Sequence, residues 1–291
     1  MSELFDGLRK PRRDTGRSLE IERIVSLPMT HAPTQEEIDA FSMEVVDASY
    51  FDGGFRLFGT QVQAILEYMQ CKGAFCPIGV GWGKTLISLM VADYAFREEE
   101  GVDRIALYVP PQVYGQLTNT DIQWARNRVG LRVPIIQMGG RSAQERMSAA
   151  RSGKKGLYIM PYSQLSTRDA EDLLNNIRPD LVILDEAHNV KNPRAARTRR
   201  LMRYLDQRQP QLVALSGTIT SKSIGDYHHL ISHALGENSP LPLSTDLASN
   251  WGMALDADAD PTEAQCGPVQ PLIEWANWRF PLWGSASWPT R

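Results

Sequence analysis

The stretch that most limits what this chain can fold into runs from Gly73 to Met90, Gly-Ala-Phe-Cys-Pro-Ile-Gly-Val-Gly-Trp-Gly-Lys-Thr-Leu-Ile-Ser-Leu-Met. A short apolar run is followed by a glycine-rich turn, then Lys-Thr, then apolar residues at helical spacing through Leu86, Leu89, Met90 and Ala92. That order is strand, loop, helix. Glycines let a loop backbone curl around an anion with successive N–H groups pointing inward, and a helix starting near Lys84 adds its own free N–H groups and its dipole. Gly79, Val80, Gly81, Trp82, Gly83, Lys84 and Thr85 therefore form a candidate phosphate cradle, with Lys84 supplying positive charge to the outer phosphates. The strict form of such a loop has glycine six positions before the lysine, where this chain has Ile78.

Beyond the loop the pattern alternates. Apolar runs at Ile105 to Val109, Val133 to Gln137, Gly156 to Met160, Leu181 to Leu184 and Gln211 to Leu215 read as strands. Between them lie helical patterns: one through Leu117 and Trp124, then Ala143 to Ala150, Ser166 to Ile177 and Arg194 to Arg203, with Ile224 to Leu235 after the last strand. Short apolar strands alternating with helices predict an α/β chain, its parallel sheet covered by helices on both faces. Upstream, Thr34 with Glu37 is a capping box for a helix to about Val46, and Thr60 with Gln63 reads as a second box.

The second decisive motif is Leu181-Val182-Ile183-Leu184-Asp185-Glu186-Ala187-His188, an apolar strand ending in two acids about a hundred positions after the loop. Adjacent carboxylates at a strand end are costly unless a cation or a water network holds them. With a phosphate cradle in the same chain, Thr85 and Asp185 become candidate Mg²⁺ ligands. Glu186 becomes the candidate base that polarises the water attacking a γ-phosphate.

Together, Gly-x-Gly-Lys-Thr and Asp-Glu-Ala-His resemble the first RecA-like lobe of superfamily 2 helicases and translocases. Asn189-Val190-Lys191-Asn192-Pro193 resembles the box extension of the Swi/Snf-type group. Leu215-Ser216-Gly217-Thr218 resembles that group's motif III, although Ile219 stands where proline is common. Gln61, about twenty positions before Lys84, resembles the Q-motif glutamine, whose carboxamide suits the edge of adenine. The resemblance covers about Arg56 to Leu235 and implies a RecA-like P-loop NTPase fold. It implies ATP and Mg²⁺ as ligands, and His188, Ser216, Gly217 and Thr218 as residues coupling the nucleotide to nucleic acid. Pro110 and Gln112, Gly140, Tyr162 and Ser163 fall where the family has loops that hold phosphates of one nucleic-acid strand, a mode blind to base sequence. From the residues alone, Pro110-Pro111 is equally a strand stop. The arginines between Arg194 and Arg203 read as a solvated helix as readily as they read as either a phosphate-facing patch or a contact to a second lobe.

The resemblance favours DNA over RNA as partner, since Lys191-Asn192-Pro193 and Ser216-Gly217-Thr218 depart from the DEAH-type RNA helicases. It also implies a second RecA-like lobe, because nothing after Thr218 resembles the later motifs. The expectation is a first lobe alone, completed by another polypeptide or by a missing C-terminal part, and a weak ATPase by itself. The alternatives are a nucleotide-binding subunit or interaction module with little catalysis of its own, or an RNA helicase of the DEAH type.

Composition narrows the setting. The net charge of −3 gives no global basic field, so nucleic-acid contact must come from a local patch. No apolar run approaches the roughly 20 residues of a membrane span, and the N-terminus lacks a signal-peptide pattern. Cys71, Cys76 and Cys266, without a Cys-x-x-Cys pair, suit a reducing cytoplasm; Cys76 reads as a buried thiol. His229 and His233 lie one turn apart, but no third ligand follows at zinc spacing. The expected organisation is an N-terminal extension over 1–50, including basic residues Arg9 to Arg17 and a turn at Asp52-Gly53-Gly54 just beyond it. The ATP-binding lobe covers 51–237 and an irregular extension covers 238–291. That extension holds the acidic run Asp256 to Glu263, a possible helix from Gln270 to Trp278, and five of the seven tryptophans, which either cover the lobe or dock on a partner.

Overall fold

A computed structural model describes residues 19–28, 32–45, 55–217 and 224–249. The basic start, the Asp52-Gly53-Gly54 turn, Thr218, Ile219 and the segment with the acidic run and late tryptophans lie outside the described residues.

The apolar runs form six parallel strands: β1 (Ala74–Pro77), β2 (Arg104–Val109), β3 (Ile135–Gln137), β4 (Gly156–Pro161), β5 (Leu181–Asp185) and β6 (Gln211–Ser216). Their order across the sheet is β1-β6-β5-β2-β4-β3. Strands β2, β4, β5 and β6 are buried almost throughout, which is why they read as continuous apolar runs. One face is covered by α3 (Gly59–Cys71), α4 (Lys84–Glu98) and α6 (Ile122–Val129), around Ile65, Ile87, Val91, Leu107 and Ile183. The other face packs against α7 (Ala143–Arg151), α8 (Ala170–Ile177), α9 (Ala196–Arg208) and α10 (His228–Leu235), around Tyr108, Tyr158, Leu184, Leu201 and Leu230. Because every strand runs the same way, all the loops after the strands gather at one edge of the sheet. The crossing order places the ends of β1, β6 and β5 side by side, and those of β2, β4 and β3 in the other half.

Several boundaries differ from the sequence pattern for local reasons. The α3 helix begins at Gly59, and its box is Phe58 with Gln61: the Phe58 N–H donates to Gln61 Oε1 at 2.9 Å. Thr60 is therefore not a cap, and its buried hydroxyl has no protein partner. Strand β3 starts two residues late because Pro134 lacks an N–H; the Pro134 carbonyl instead accepts from Leu157 N–H at 2.7 Å. The helix after β2 is α5 (Pro111–Gln116), a π turn over Leu117–Asp121, and then α6. Here the Thr118 hydroxyl donates to the Tyr114 carbonyl at 2.9 Å, a back-bond that loosens a helix. The expected helix from Ser166 is a 3₁₀ turn over Tyr162–Ser166, and α8 begins only at Ala170. Likewise a 3₁₀ turn over Ile224–Tyr227 precedes α10, and α9 starts at Ala196, two residues past Arg194.

Two upstream helices complete the described part. Helix α2 (Gln35–Val45) carries the expected box, with Thr34 N–H donating to Glu37 Oε2 at 2.7 Å and Glu37 N–H to Thr34 Oγ1 at 3.3 Å. Helix α1 (Leu19–Ser26), which the sequence pattern did not announce, clasps the segment after α10. The Arg23 guanidinium donates to the carbonyls of Glu237, Ser239 and Leu241 at 2.6, 2.8 and 2.9 Å, and the Leu243 N–H donates to Glu20 Oε1 at 2.6 Å.

Candidate nucleotide site

Three strand ends build the site. After β1 the loop turns through Gly81 and Gly83, both with positive φ (87° and 72°), and Gly83 caps α4 in the left-handed region. A Cβ at Gly83 would also run into the Gln61 carboxamide, so this position needs glycine on both counts. Val80 and Gly81 are exposed at the loop tip, while Lys84 is 7% exposed. The Lys84 ammonium lies back across the loop, donating to the Gly79 carbonyl at 3.1 Å.

From the end of β5 come the two acids. Asp185 Oδ2 accepts from the Thr85 hydroxyl at 3.0 Å. Burial first, and the Glu186 charge next to it, push the Asp185 carboxyl up to about 6, against the pull of Thr85 and Lys84. Glu186 itself is left-handed (φ 58°, ψ 59°), which turns its side chain back toward the loop. Its Oε1 pairs with Lys84 Nζ at 3.1 Å and its Oε2 lies 3.2 Å from His188 Nδ1.

From the end of β6, the Gly217 N–H donates to Glu186 Oε2 at 3.4 Å. A Cβ on Gly217 would lie 3.0 Å from Lys84 Nζ, so a side chain here would crowd the ammonium. Ser216 is fully buried, its hydroxyl 3.2 Å from that of Tyr227. Lys84, Thr85, Asp185, Glu186, His188, Ser216 and Gly217 are thus brought together from β1, β5 and β6. Thr218 is outside the described residues.

Two of the expected site residues have buried side chains. Gln61 is buried with its amide already committed: Oε1 accepts from Phe58 N–H, and Nε2 donates to the Trp82 carbonyl at 3.1 Å. In this state it braces the loop, with one amide hydrogen and one oxygen lone pair left over. Tyr162 is also buried, at 1% exposure, so its side chain does not face a nucleic-acid strand. Gln112, Gly140 and Ser163 are exposed and Pro110 is half-buried, all at the same sheet edge after β2, β3 and β4. Sequence reasoning missed Tyr227, which no motif marks, and the edge-on pairing of exposed Phe58 with Trp82 (centroids 5.5 Å apart, 79°), which spacing alone does not reveal.

The donor set fits a hard divalent cation. A hydroxyl and a carboxylate oxygen already sit 3.0 Å apart, and the carboxylate's raised pKa is what a nearby cation would relieve. No group of three or more His, Cys, Asp or Glu side chains with metal-site geometry occurs among the described residues. His228, His229 and His233 instead each place Nε2 at a backbone carbonyl, of Pro242, Val190 and Pro210. Cys76 is buried, and burial pushes its thiol well up.

The sequence pattern of DEAD/DEAH box helicases matches residues 59–226, from the start of α3 to the turn before α10. The chain belongs to the DEAD/DEAH box helicase family. The helicase fold is also seen in a solved structure, the Sulfolobus solfataricus SWI2/SNF2 ATPase core in complex with dsDNA. That structure is 15% identical, with a TM-score of 0.50 over 77% of this chain. The match spans 43% of the SWI2/SNF2 chain, so this helicase chain corresponds to less than half of it. No curated protein matches the sequence. Among the described residues no helix is long and apolar enough to cross a membrane.

Proposed function

We propose that this chain is the ATP-binding, ATP-hydrolysing lobe of a Swi/Snf-like DNA translocase, working with a second RecA-like lobe. The observation that carries this is the convergence of Lys84, Thr85, Asp185, Glu186 and Gly217 from three adjacent strand ends. In this reading the loop N–H groups and Lys84 hold the outer phosphates, and Thr85 and Asp185 hold Mg²⁺. Mg²⁺ supplies charge neutralisation of the phosphate oxygens when bound. Glu186 takes the proton of the attacking water, and His188, Ser216, Gly217 and Thr218 relay the state of the site to the loops beyond β2 and β4. Pro110, Gln112, Gly140 and Ser163 lie where phosphates of one strand would run, and DNA is the reading's partner. The lobe proper is taken as 51–237, with 1–50 and 238–291 as extensions. Free Cys71 and Cys76 suit the reducing interior of a cell.

ATP turnover of the purified chain, with and without duplex DNA, tests the reading. The expected result is slow hydrolysis with little DNA stimulation. A second-lobe arginine of the kind that neutralises the transition state is worth about 10³ to 10⁵ in rate in related hydrolases. With roughly two or three phosphate contacts, log affinity should fall against log salt with a slope of about −2 to −3 on duplex. Brisk DNA-stimulated turnover by a monomer would show that the site is completed from within this chain. A second reading, a nucleotide-binding module with little catalysis, is favoured by two contacts: Glu186 is already held by Lys84 and by His188. Binding of ATP without any turnover, even with a second lobe supplied, would select it.

A further inference from the structure

The peptide group that joins Met138 to Gly139, just after β3, is held from both sides by side chains of the neighbouring loops. Its N–H donates to the Tyr114 hydroxyl at 2.8 Å. Its carbonyl accepts from Gln164 Nε2 at 2.9 Å, and Gln164 is buried. Tyr114 lies on α5, after β2, and Gln164 lies on the 3₁₀ turn after β4. One peptide group therefore ties together the loops that follow β2, β3 and β4. It is fixed to the sheet as well, since the Met138 N–H donates to the Ile159 carbonyl of β4 at 3.0 Å.

The two glycines after Met138 have separate uses. Gly140 has φ 73° and open space where a Cβ would stand, so the turn of the backbone requires it. Gly139 has no positive φ; what it supplies is room. A Cβ there would lie 2.4 and 2.6 Å from Cζ and Cε1 of the Tyr114 ring. The ring rests on the bare backbone of Gly139, and its hydroxyl meets the N–H of the same residue. Helix α5 depends on this seat. It buries none of its residues, Tyr114 is its one half-buried side chain, and it runs on into a π turn. Six residues are too few to hold a helix by propensity, so packing must hold it.

We propose that Tyr114 is a positioning residue for the nucleic-acid strand. Through the 138–139 peptide, which Gln164 holds from the other side, it fixes Gln112, Gly140 and Ser163 relative to one another before the strand arrives. These three exposed residues stand within two positions of the clamp: Gln112 two before Tyr114, Gly140 next to Gly139, and Ser163 next to Gln164. The proposal rests on the reading that phosphates of one strand run across these loops. With the loops moving independently, only molecules that had all three in place would bind. The dissociation constant would rise by the inverse of that fraction, a loss that the clamp removes. The clamp itself holds no phosphate, because Gln164 is buried and the Tyr114 hydroxyl is engaged by Gly139.

The test is anisotropy titration of a labelled DNA duplex at several salt concentrations, for wild type, Tyr114→Phe, Gly139→Ala, the double variant and Ser163→Ala. Thermal midpoints with and without Mg·ATP are measured on the same samples. Tyr114→Phe keeps the ring and removes the hydroxyl; Gly139→Ala keeps the hydroxyl and displaces the ring. Each should weaken duplex binding about two- to tenfold, the worth of one neutral hydrogen bond. The double variant should bind no more weakly than the weaker single one, since both open the same latch. The slope of log affinity against log salt should stay as in wild type, whereas a lost phosphate contact makes it shallower by about 0.9. The shift produced by Mg·ATP should also stay. Wild-type affinity in Tyr114→Phe with weakened Ser163→Ala overturns the positioning role and leaves the strand reading. A shallower salt slope in Tyr114→Phe overturns it by showing direct contact. Affinity lost in step with thermal midpoint and Mg·ATP shift overturns it by showing plain packing. Unchanged affinity in every variant, Ser163→Ala included, overturns the strand reading and the proposal with it.

Discussion

The two halves of the sheet's functional edge are built differently. At the ends of β1, β6 and β5 nearly every functional atom already has a partner inside the chain: Lys84 with Gly79 and Glu186, Thr85 with Asp185, Glu186 with His188 and Gly217, Gln61 with Phe58 and Trp82. At the ends of β2, β4 and β3, exposed Gln112, Gly140 and Ser163 face solvent. A site that must distinguish one ligand's geometry is preorganised by such interlocking contacts. A surface that tracks a repeating backbone needs only accessible donors at the right spacing. The nucleotide half also holds its acids at a cost in stability, since burial pushes Asp185 up to about 6 and Glu67, on α3 behind β1, up to about 7.

The contrast is broken hardest at Glu186. Glu186→Gln keeps the shape of the side chain but cannot accept the water's proton. ATP turnover should fall by about 10² to 10⁴, with Mg·ATP affinity retained in a binding titration. Lys84→Ala comes next. With nucleotide at about 100 times its dissociation constant, the wild-type fold should gain roughly 2.7 kcal/mol, and that thermal shift should vanish in the variant. An equal shift in both proteins would show that the loop is not the phosphate cradle.

Glu67→Gln probes the stability cost of the same half. The folded carboxyl titrates near 7, pushed up by burial against the pull of the Phe75 backbone, while the unfolded one titrates near 4.5. Below 4.5 both are protonated and the site costs nothing. As pH rises between the two values the unfolded chain ionises first and stability is lost, in full above 7. Chemical denaturation should therefore find the variant more stable at pH 8, on the order of 1–3 kcal/mol, and level with wild type at pH 4. The smallest effect belongs to the open half. Ser163→Ala should weaken duplex binding by about 0.5–1.5 kcal/mol, one neutral hydrogen bond. In a fluorescence anisotropy titration the loss should be the same for any DNA sequence, with the ATP thermal shift untouched.

The same contrast decides what the sequence showed. Strand runs buried on both faces are visible as unbroken apolar segments, so Leu181 to Asp185 and Gln211 to Ser216 were legible almost to the residue. The loop and the acids were legible because few residue types do that chemistry. Side-chain commitments were not. The spacing of Thr60 and Gln63 fits a box, and only the contact of the Phe58 N–H with Gln61 Oε1 shows which amide is used. Tyr162 lies one residue from an exposed serine in a turn whose 3₁₀ winding, rather than the helix expected from Ser166, rotates it inward. Helix α1 escaped notice because it is short and gains its stability from long-range contacts to 237–243.

That last clasp has a mechanical side. Beyond α10 the chain is held by one guanidinium on three alternate carbonyls, by the Leu243 N–H on Glu20, and by His228 Nε2 at the Pro242 carbonyl, 2.6 Å. A pull on the chain past residue 243 is therefore shared between α1 and His228 at the start of α10, and does not fall only on the end of α10, where a helix would peel open one bond at a time. It falls on five hydrogen bonds loaded together, four of which pass it into α1, more than two hundred residues away in sequence. Helix α1 thus takes part of a load that would otherwise rest on α10 alone, and so on Tyr227 and the Ser216 hydroxyl beside it.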